Sequence, residues 1–549
     1  MGIRRTILRP VAALAGLHAG RQVRRWMRAH QRTADVQERL LCDLIAWHAD
    51  TGFGRDHGFA RLSGYADFAR AVPVRTYDEL RPWMDRVYRG DAGALIPRGE
   101  RVLMFSRTSG TTGEPKHIPV TARAVYDLRR GWNVFGMRLL RDHPAGWLRE
   151  ILQISSPMRE ADSPTGLPCG AVSGLLASMQ KPIVRRMYPV PREVYDIADP
   201  EAKYYTILRC GIGRDVAIIT TANPSSTIKL IETGQAHADR LIGDVADGTC
   251  APPGEMQRTA IGPRRFRPRP ELARRMEQGI RADGRLLPRH FWRPAAVLNW
   301  TGGTLGLYLP HLRELFGDVP VRDIGLLASE GRFSIPLADN TPAGPAEITG
   351  NFLEFIPAES RDEAEPPVLR AHELERGGEY FLIVTNACGL WRYDIDDRVR
   401  VTDFLGGTPV FEFLSRGRST ASITGEKITE HQVVAAMRRA AEPIGHSVER
   451  FELQGRFPEH GRPYYELRLE DGPDADELAG AMDVALAELN VEYSSKRSSG
   501  RLGPIRPRVL RPGALLRQDE AEVRRRGRLE QFKRRYLVTE IAAEGDRGT

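Results

Sequence analysis

The sequence predicts an α/β protein in two parts: a large N-terminal domain (residues 1–415) of mixed β-sheets flanked by helices, and a small α+β domain (residues 416–549). Three observations predict it. The chain, at 549 residues, exceeds the ~250–300 residues at which a single core stops growing. Short strand-like runs alternate with helical periodicity, the pattern of an α/β layer structure. A polar run at Ser415–Thr424 separates a β-rich stretch from a new helix, as a domain boundary does.

Helical periodicity dominates residues 11–50 and returns over Ala122–Leu140, where apolar residues fall at mixed three and four spacing. Strands are expected at Glu150–Ser155, Val216–Thr221, Ala295–Trp300, Asp323–Ala328 and Tyr380–Thr385. The Pro- and Arg-rich segment Ala251–Pro270 reads as a connection between helices. Beyond the β-rich stretch Arg398–Leu414, the polar run leads to a helix over Glu430–Ala441. Two alternating segments follow, Arg450–Gln454 and Tyr464–Leu469, joined by turn chemistry at Gly461, and then a helix over Ala475–Leu489.

Composition narrows the function classes. Hydrophobic residues make up 41% and charged residues 28%, the balance of a globular protein and not of a disordered one. The net charge is +9, and only seven of the 80 basic residues are lysine. No clustered nucleic-acid reader motif accompanies this charge, so a solvated basic surface is expected and nucleic acid is not an expected partner. The five cysteines are odd in number, widely spaced and free of any C-x-x-C pair, which argues against a disulfide framework or zinc cage and for a reduced, cytoplasmic setting. Met1–Thr6 matches a myristoylation pattern, but Arg9 and Pro10 interrupt the apolar run that follows, and a basic amphipathic helix is the preferred reading. No stretch is long enough to span a bilayer, and a monomer is expected.

The strongest local signal is Thr108-Ser-Gly-Thr-Thr-Gly-Glu-Pro-Lys116, preceded by the apolar Val102–Phe105 and followed by a helix. Glycines let the backbone approach an anion closely, the hydroxyls and amides supply donors, and Lys116 adds a point charge. Such a loop cradles phosphates. It is not a Walker A loop, because the G-x-x-x-x-G-K-[ST] order is absent.

This loop resembles the phosphate-binding motif of the adenylate-forming superfamily. The chain from about Tyr77 to Lys533 resembles one branch of it, the auxin-responsive acyl-acid amido synthetases that conjugate jasmonate, auxin or benzoates to amino acids. Four landmarks stand in the expected order: Asn299-Trp-Thr-Gly-Gly303, Leu327-Ala-Ser-Glu-Gly331, Phe352-Leu-Glu-Phe-Ile-Pro357 and Gly389-Leu-Trp-Arg-Tyr-Asp-Ile-Asp-Asp-Arg-Val399. The resemblance implies a large adenylate-forming domain with a β-barrel-like part and a small, mobile C-terminal domain.

It also implies roles, position by position. Ser109, Gly110, Thr111, Thr112, Gly113 and Lys116 would sit on the phosphates of ATP, while Ala328 and Ser329 would line the adenine and acyl pocket beside Gly331. Glu330 matches the glutamate that helps hold Mg²⁺, an ion suited to one or two carboxylates plus phosphate oxygens. Asp397 corresponds to the aspartate that grips both ribose hydroxyls, a task for an acceptor-only carboxylate. Arg418 would also meet the nucleotide, with Ser419 near the pivot of a hinge at residues 416–425. Gln531-Phe-Lys533 matches the family's Gln-Tyr-Lys, making Lys533 and Lys116 the expected catalytic lysines.

Two positions depart from the family pattern: Asp396 replaces the glycine usual before Asp397, and Trp391 stands where tyrosine is common. Two adjacent carboxylates raise one another's pKa unless Asp396 turns away or pairs with Arg398 or Arg392. The implied partners are a small carboxylic acid and an amine, an amino acid above all. A thiol acceptor, giving an acyl-CoA ligase, stays open, as does a non-catalytic basic binding protein on the same scaffold. His117 and His372 have no assigned part. Arginine usage and the lack of a plant-like targeting segment point to a bacterial source.

Overall fold

The computed structural model describes residues 16–17, 19–108, 116–180, 182–197, 199–254, 266–302, 305, 308–361, 363–417, 420–443, 448, 450–458, 461–470, 475–515, 517–518, 521 and 536–543. They fall into two compact units, one ending at Ser415 and one beginning at Arg416. Among the described residues no helix is long and apolar enough to cross a membrane.

The first unit opens with helices α1 (Thr33–Trp47) and α2 (Tyr77–Tyr88). Helix α2 starts at a capping box in which the Glu79 carboxylate accepts from the Thr76 backbone N–H at 2.8 Å, satisfying a donor the helix itself leaves orphaned. Strands β1 (Val102–Thr108) and β2 (Lys116–Thr121) pair antiparallel, with Thr108 opposite Lys116. Thr121 ends β2 and caps α3 (Ala122–Asp142), its hydroxyl accepting from Ala124 N at 3.1 Å.

Then follow β3 (Glu150–Gln153), β4 (Pro168–Gly170), α4 (Pro200–Gly211), β5 (Val216–Thr220), α5 (Pro224–Ala236), α6 (Ala238–Asp247), α7 (Pro270–Asp283), β6 (Ala296–Asn299), α8 (Leu309–Phe316) and β7 (Val321–Asp323). Strands β3, β5, β6 and β7 form a parallel sheet in the order β3-β5-β6-β7. The near-continuous apolar run Val216-Ala-Ile-Ile suits a strand buried on both faces between crossover helices.

The strand expected over Asp323–Ala328 is two separate pieces, β7 and β8 (Leu327–Ala328). Gly325 breaks it: its φ is +88°, and its N–H donates to Asp323 Oδ1 at 2.6 Å. After the turn, β8 pairs with β9 (Gly331–Arg332) as a two-stranded ribbon.

Three long strands, β10 (Asn351–Pro357), β11 (Glu379–Asn386) and β12 (Leu390–Leu405), make the antiparallel centre of a six-stranded sheet. Strand β13 (Thr408–Arg416) and short edge segments at Gly344–Pro345 and Leu369–Arg370 complete it. Its core includes Trp391, fully buried, stacked on Phe53 at 5.8 Å and edge-on to Phe59 at 4.6 Å. The departure at Trp391 is therefore a packing feature of the core.

The second unit comprises α9 (Glu430–Ala441), β14 (Phe451–Phe457), β15 (Tyr464–Glu470), α10 (Ala475–Leu489), α11 (Val491–Ser498), β16 (Arg506–Leu510) and β17 (Leu537–Ala543). Its sheet runs β16-β15-β14-β17 and shares a core with the helices through Val433, Met437, Leu453, Leu467 and Met482.

Candidate functional site

The register of the β1–β2 hairpin fixes Lys116 at the exit of the hydroxyl-rich loop. Its ammonium lies 3.3 Å from the Tyr393 hydroxyl, 5.3 Å from the Tyr77 ring centroid and 5.8 Å from that of Tyr393. Two ring faces and a phenol oxygen orient the cation. Tyr77 is itself held, its hydroxyl accepting from His117 N at 2.9 Å. His117 stacks on Tyr88 at 4.1 Å, a structural placement. Ser109, Gly110, Thr111, Thr112 and Gly113 lie outside the described residues, as do Arg418, Ser419, Lys533 and the Met1–Thr6 pattern.

Strand β12 carries both Tyr393 and Asp397. Its pairing with β11 is irregular at two places, between Val384 and Asn386 and between Phe381 and Ile383, so β12 holds extra residues at each. These bulges coincide with the positive φ values of Arg392 (45°) and Asp396 (63°). At the first, the segment around Arg75 substitutes as partner: Arg75 N donates to Arg392 O at 2.9 Å and Asp394 N donates to Arg75 O at 2.8 Å. At the second, Asp396 N donates to Asp394 Oδ1 at 2.9 Å, and Asp397 is turned inward, 4% exposed.

Asp396 adopts the left-handed conformation that a glycine takes at no steric cost, and aspartate tolerates it better than most residues. Its carboxylate pairs with Arg361 at 3.6 Å, and Arg361 also binds Asp394. Neither of the two arginines considered from the sequence, Arg398 or Arg392, is this partner. Arg398 binds Glu379, and Arg392 is committed to Glu354, with Nη2 to Oε1 at 2.9 Å and both partners almost fully buried.

Ser329 and Glu330 form the turn between β8 and β9, flanked by Ala328 and Gly331. Glu330 is 4% exposed and makes no ion pair among the described residues. Its carbonyl accepts from Asn386 Nδ2 at 2.8 Å, tying the turn to the end of β11. The turn lines a cleft whose walls include Asp127 and Leu128 of α3, Arg332 and Glu347.

The landmark Asn299-Trp-Thr closes the carboxyl edge of the parallel sheet, where ligands of such sheets bind. Asn299 Nδ2 donates to Thr221 O at 3.0 Å and to Thr221 Oγ1 at 2.6 Å, joining β6 to the segment after β5. Trp300 Nε1 donates to Gly325 O at 2.8 Å, and Thr301 gives its N–H and its hydroxyl to Asp323 Oδ2. Burial pushes the Asp323 carboxyl up to about 6 even against these donors.

Burial dominates the electrostatics of the cleft as well. It pushes Asp127 up to about 6, with Arg130 and Arg123 opposing. It pulls Arg332 down to about 9, leaving the guanidinium charged at neutral pH. Sequence reasoning missed Tyr77, Arg361, Asp127 and Arg332. Only Tyr393 carried a signal, its place within the last landmark.

The structure thus joins Lys116 to β12 through Tyr393, with Asp397 further along the same strand, and joins Glu330 to β11 through Asn386. Comparison with known proteins then adds the following. Family models for the GH3 family N-terminal, central and C-terminal domains match residues 22–321, 346–416 and 431–541. The chain is 26% identical over 550 residues to a probable indole-3-acetic acid-amido synthetase, GH3.2, of Oryza sativa subsp. japonica, covering 91% of this chain and 87% of that one. It is 24% identical over 520 residues to the jasmonoyl–L-amino acid synthetase JAR4 of Nicotiana attenuata, covering 87% and 86%. Among solved structures, AtGH3.15 acyl acid amido synthetase in complex with 2,4-DB superposes with a TM-score of 0.67 at 22% identity, covering 96% of this chain and 95% of that one. These relatives are plant enzymes, which contradicts the bacterial source expected above. Arginine usage follows the base composition of coding DNA and so does not report lineage.

Proposed function

The chain belongs to the GH3 family, and on that premise we propose that it is an ATP-dependent acyl-acid amido synthetase whose acceptor is an amino acid. In the first half-reaction a carboxylate oxygen of the acid attacks the α-phosphorus of ATP and pyrophosphate leaves. In the second, the amine nitrogen attacks the carbonyl carbon of the acyl-adenylate, loses a proton, and AMP departs. The single observation that carries this reading is the tethering of Lys116, held between Tyr77 and Tyr393, to the strand that bears the inward-turned Asp397.

Charge builds on phosphate oxygens in the first step, and Lys116 is the described cation suited to stabilise it. Ser109, Gly110, Thr111, Thr112 and Gly113 would supply donors to the phosphates, Asp397 would accept from the ribose hydroxyls, and Ala328, Ser329 and Gly331 would border the adenine. Glu330, a buried carboxylate without an ion pair among the described residues, fits a divalent cation shared with phosphate oxygens. Bound there, Mg²⁺ would neutralise developing charge on the leaving pyrophosphate. Lys533 and Arg418 are proposed to join the nucleotide from residues 416–549, with Ser419 near a hinge at 416–425. Gly417 and Gly425, with φ of +59° and +94°, suit a segment that rotates. A cytoplasmic monomer completes the proposal; the five cysteines are all free thiols.

The test is direct. Purified protein, ATP and Mg²⁺ are incubated with a panel of aryl, fatty and hydroxy acids, in the presence of an amino-acid mixture or of coenzyme A, and the products are weighed. Amide products with pyrophosphate release support the reading. Thioester alone, or no ATP consumption together with salt-sensitive nucleic-acid binding, overturns it.

A further inference from the structure

Arg75 and His57 form a half-buried pair whose geometry fixes the protonation of the histidine. Arg75 Nη2 lies 2.9 Å from His57 Nε2, and His57 Nδ1 lies 2.8 Å from Phe53 O. A carbonyl oxygen only accepts and a guanidinium only donates, so His57 donates from Nδ1, accepts at Nε2 and is neutral. Burial lowers its pKa, and the Arg75 charge adds to that, against the Phe53 carbonyl and Asp56. Arg75 makes no ion pair among the described residues; Glu79 acts on it only through space. Its guanidinium carbon sits 5.3 Å from the Phe53 ring centroid and 5.5 Å from that of Trp83, and Nη1 is buried with no hydrogen-bond partner. Among the described residues, the polar anchor of this side chain is therefore a histidine, the residue that titrates nearest neutrality.

The backbone of the same arginine sets the surroundings of Lys116. Arg75 N donates to Arg392 O at 2.9 Å and Asp394 N donates to Arg75 O at 2.8 Å, so Arg75 bridges Tyr393 at the first bulge of β12. Tyr393 brings its hydroxyl to 3.3 Å from the Lys116 ammonium, and Tyr77, two residues after Arg75, brings its ring centroid to 5.3 Å. Both aromatic partners of Lys116 thus hang from one junction. The His57 ring stacks on Phe53 at 4.0 Å, and Phe53 stacks in turn on Trp391, the residue before Arg392. The charged groups acting on His57 are Arg75 and Asp56, and the Asp56 carboxylate is engaged by Trp83 Nε1 of α2 at 2.9 Å. Protonated, His57 would turn an N–H toward the guanidinium, donor against donor and charge against like charge.

We propose that Arg75 is a positioning residue for the adenylation step, and that His57, able to accept its hydrogen bond only when neutral, makes that positioning pH-dependent. The inference rests on the amido synthetase reading and adds to it a control on Lys116. While His57 is neutral, the guanidinium is anchored and the Arg75 backbone holds Tyr393 and Tyr77 in place. As the pH falls and His57 takes up a proton, the anchor is lost and Lys116 loses its orientation. A hydrogen bond to a charged group is worth about 10- to 100-fold, and the part of it that reaches Lys116 sets the size of the expected effect.

The experiment measures pyrophosphate exchange between pH 8 and pH 5 in the wild type and in the His57→Gln, His57→Phe and Arg75→Met variants, with an acid from the panel that the wild type accepts. No amine titrates in this assay, and carboxylates common to the four proteins cancel in the ratio of variant to wild type. His57→Gln keeps an acceptor near the place of Nε2 and does not titrate. Its rate at pH 8 is expected within about threefold of the wild type, and its ratio to the wild type is expected to rise at least about threefold by pH 5. His57→Phe keeps the stack on Phe53 without the acceptor, and Arg75→Met keeps the packing between Phe53 and Trp83 without the donor. Each is expected to lose about 3- to 10-fold at pH 8 and to approach the wild type as the pH falls. A merely structural role would lower each variant by the same factor at every pH. Should His57→Gln fold poorly, the other two variants carry the test. Ratios constant across the range overturn the inference, as does a His57→Phe rate equal to that of the wild type at pH 8. No exchange with any acid in the wild type removes the amido synthetase reading and this inference with it; exchange with constant ratios removes this inference alone.

Discussion

Arg392 and Glu354 form a buried ion pair between β12 and β10, with Arg392 Nε 3.1 Å from both carboxylate oxygens and Nη2 2.9 Å from Oε1. Arg392 Nη1 also donates to the carbonyls of Ala69 and Val72, and the Tyr65 hydroxyl donates to Glu354. Burial pushes the Glu354 carboxyl up, and the guanidinium opposes that. Removing one partner strands the other in a dry core, so Glu354→Ala is expected to lose about 3–5 kcal/mol of stability. Chemical denaturation checks this, and a Glu354→Leu, Arg392→Met double variant is expected to recover part of the loss.

Asp396 holds a left-handed φ and only a partly exposed pair with Arg361. Asp396→Gly relieves about 1 kcal/mol of backbone strain against the loss of a weak ion pair, so stability should hold or rise by up to about 1 kcal/mol. Asp396→Val, β-branched at the same φ, should lose more than the glycine variant gains. Thermal melts of the three proteins decide it.

Lys116→Ala is expected to slow pyrophosphate exchange by about 10²–10³-fold, the usual cost of deleting one contact to developing charge. Tyr393→Phe, which removes the hydroxyl that Lys116 meets but keeps the ring, should cost less. Comparable losses in the two variants would move the orienting role from the aromatic faces to the hydroxyl.

Lys533→Ala is expected to slow pyrophosphate exchange far more than amine attack on preformed acyl-adenylate. Equal losses in both assays would refute the hinge proposed at residues 416–425.

Asp127 has its carboxyl pushed up by burial to about 6, so the folded state binds its proton more tightly than the unfolded state does. Stability from this group therefore falls as pH rises from the ordinary carboxylate range toward about 6, and is level above that. Asp127→Asn removes the dependence. The stability of the variant minus that of the wild type should climb by up to about 3 kcal/mol between pH 4 and 6 and then plateau. Asp323, pushed up similarly, is common to both proteins and cancels. Urea unfolding across pH 4–8 tests the sign as well as the size.

Local signals explain what was legible in the sequence. Helices over Glu430–Ala441 and Ala475–Leu489 have the bounds that their apolar periodicity gives. The strand read through Asp323–Ala328 failed because apolar pattern carries no information about the turn that Gly325 and the Asp323 carboxylate make. Strand β16 escaped notice because Arg506-Pro-Arg-Val-Leu, half-exposed, shows no clean alternation. In the site, the landmarks were visible as motifs, and the structure explains why Asn299, Trp300 and Thr301 occur together: each bridges a different neighbour at the strand ends. The environment of Lys116 was not visible, since its partners Tyr77 and Tyr393 come from distant parts of the chain and act through ring faces, which leave no spacing rule. Arg332 was hidden for a related reason: a basic residue in an arginine-rich sequence gives no hint that it is buried.

The two bulges of β12 have a further consequence for how this protein can diversify. Tyr393 and Asp397 ride on one continuous backbone whose offsets are set by the Arg75 segment and by the Asp394 carboxylate. A substitution that slips either offset displaces the phenol beside Lys116 and the inward acid together. One strand thus couples two parts of the site, and variation at one is felt at the other.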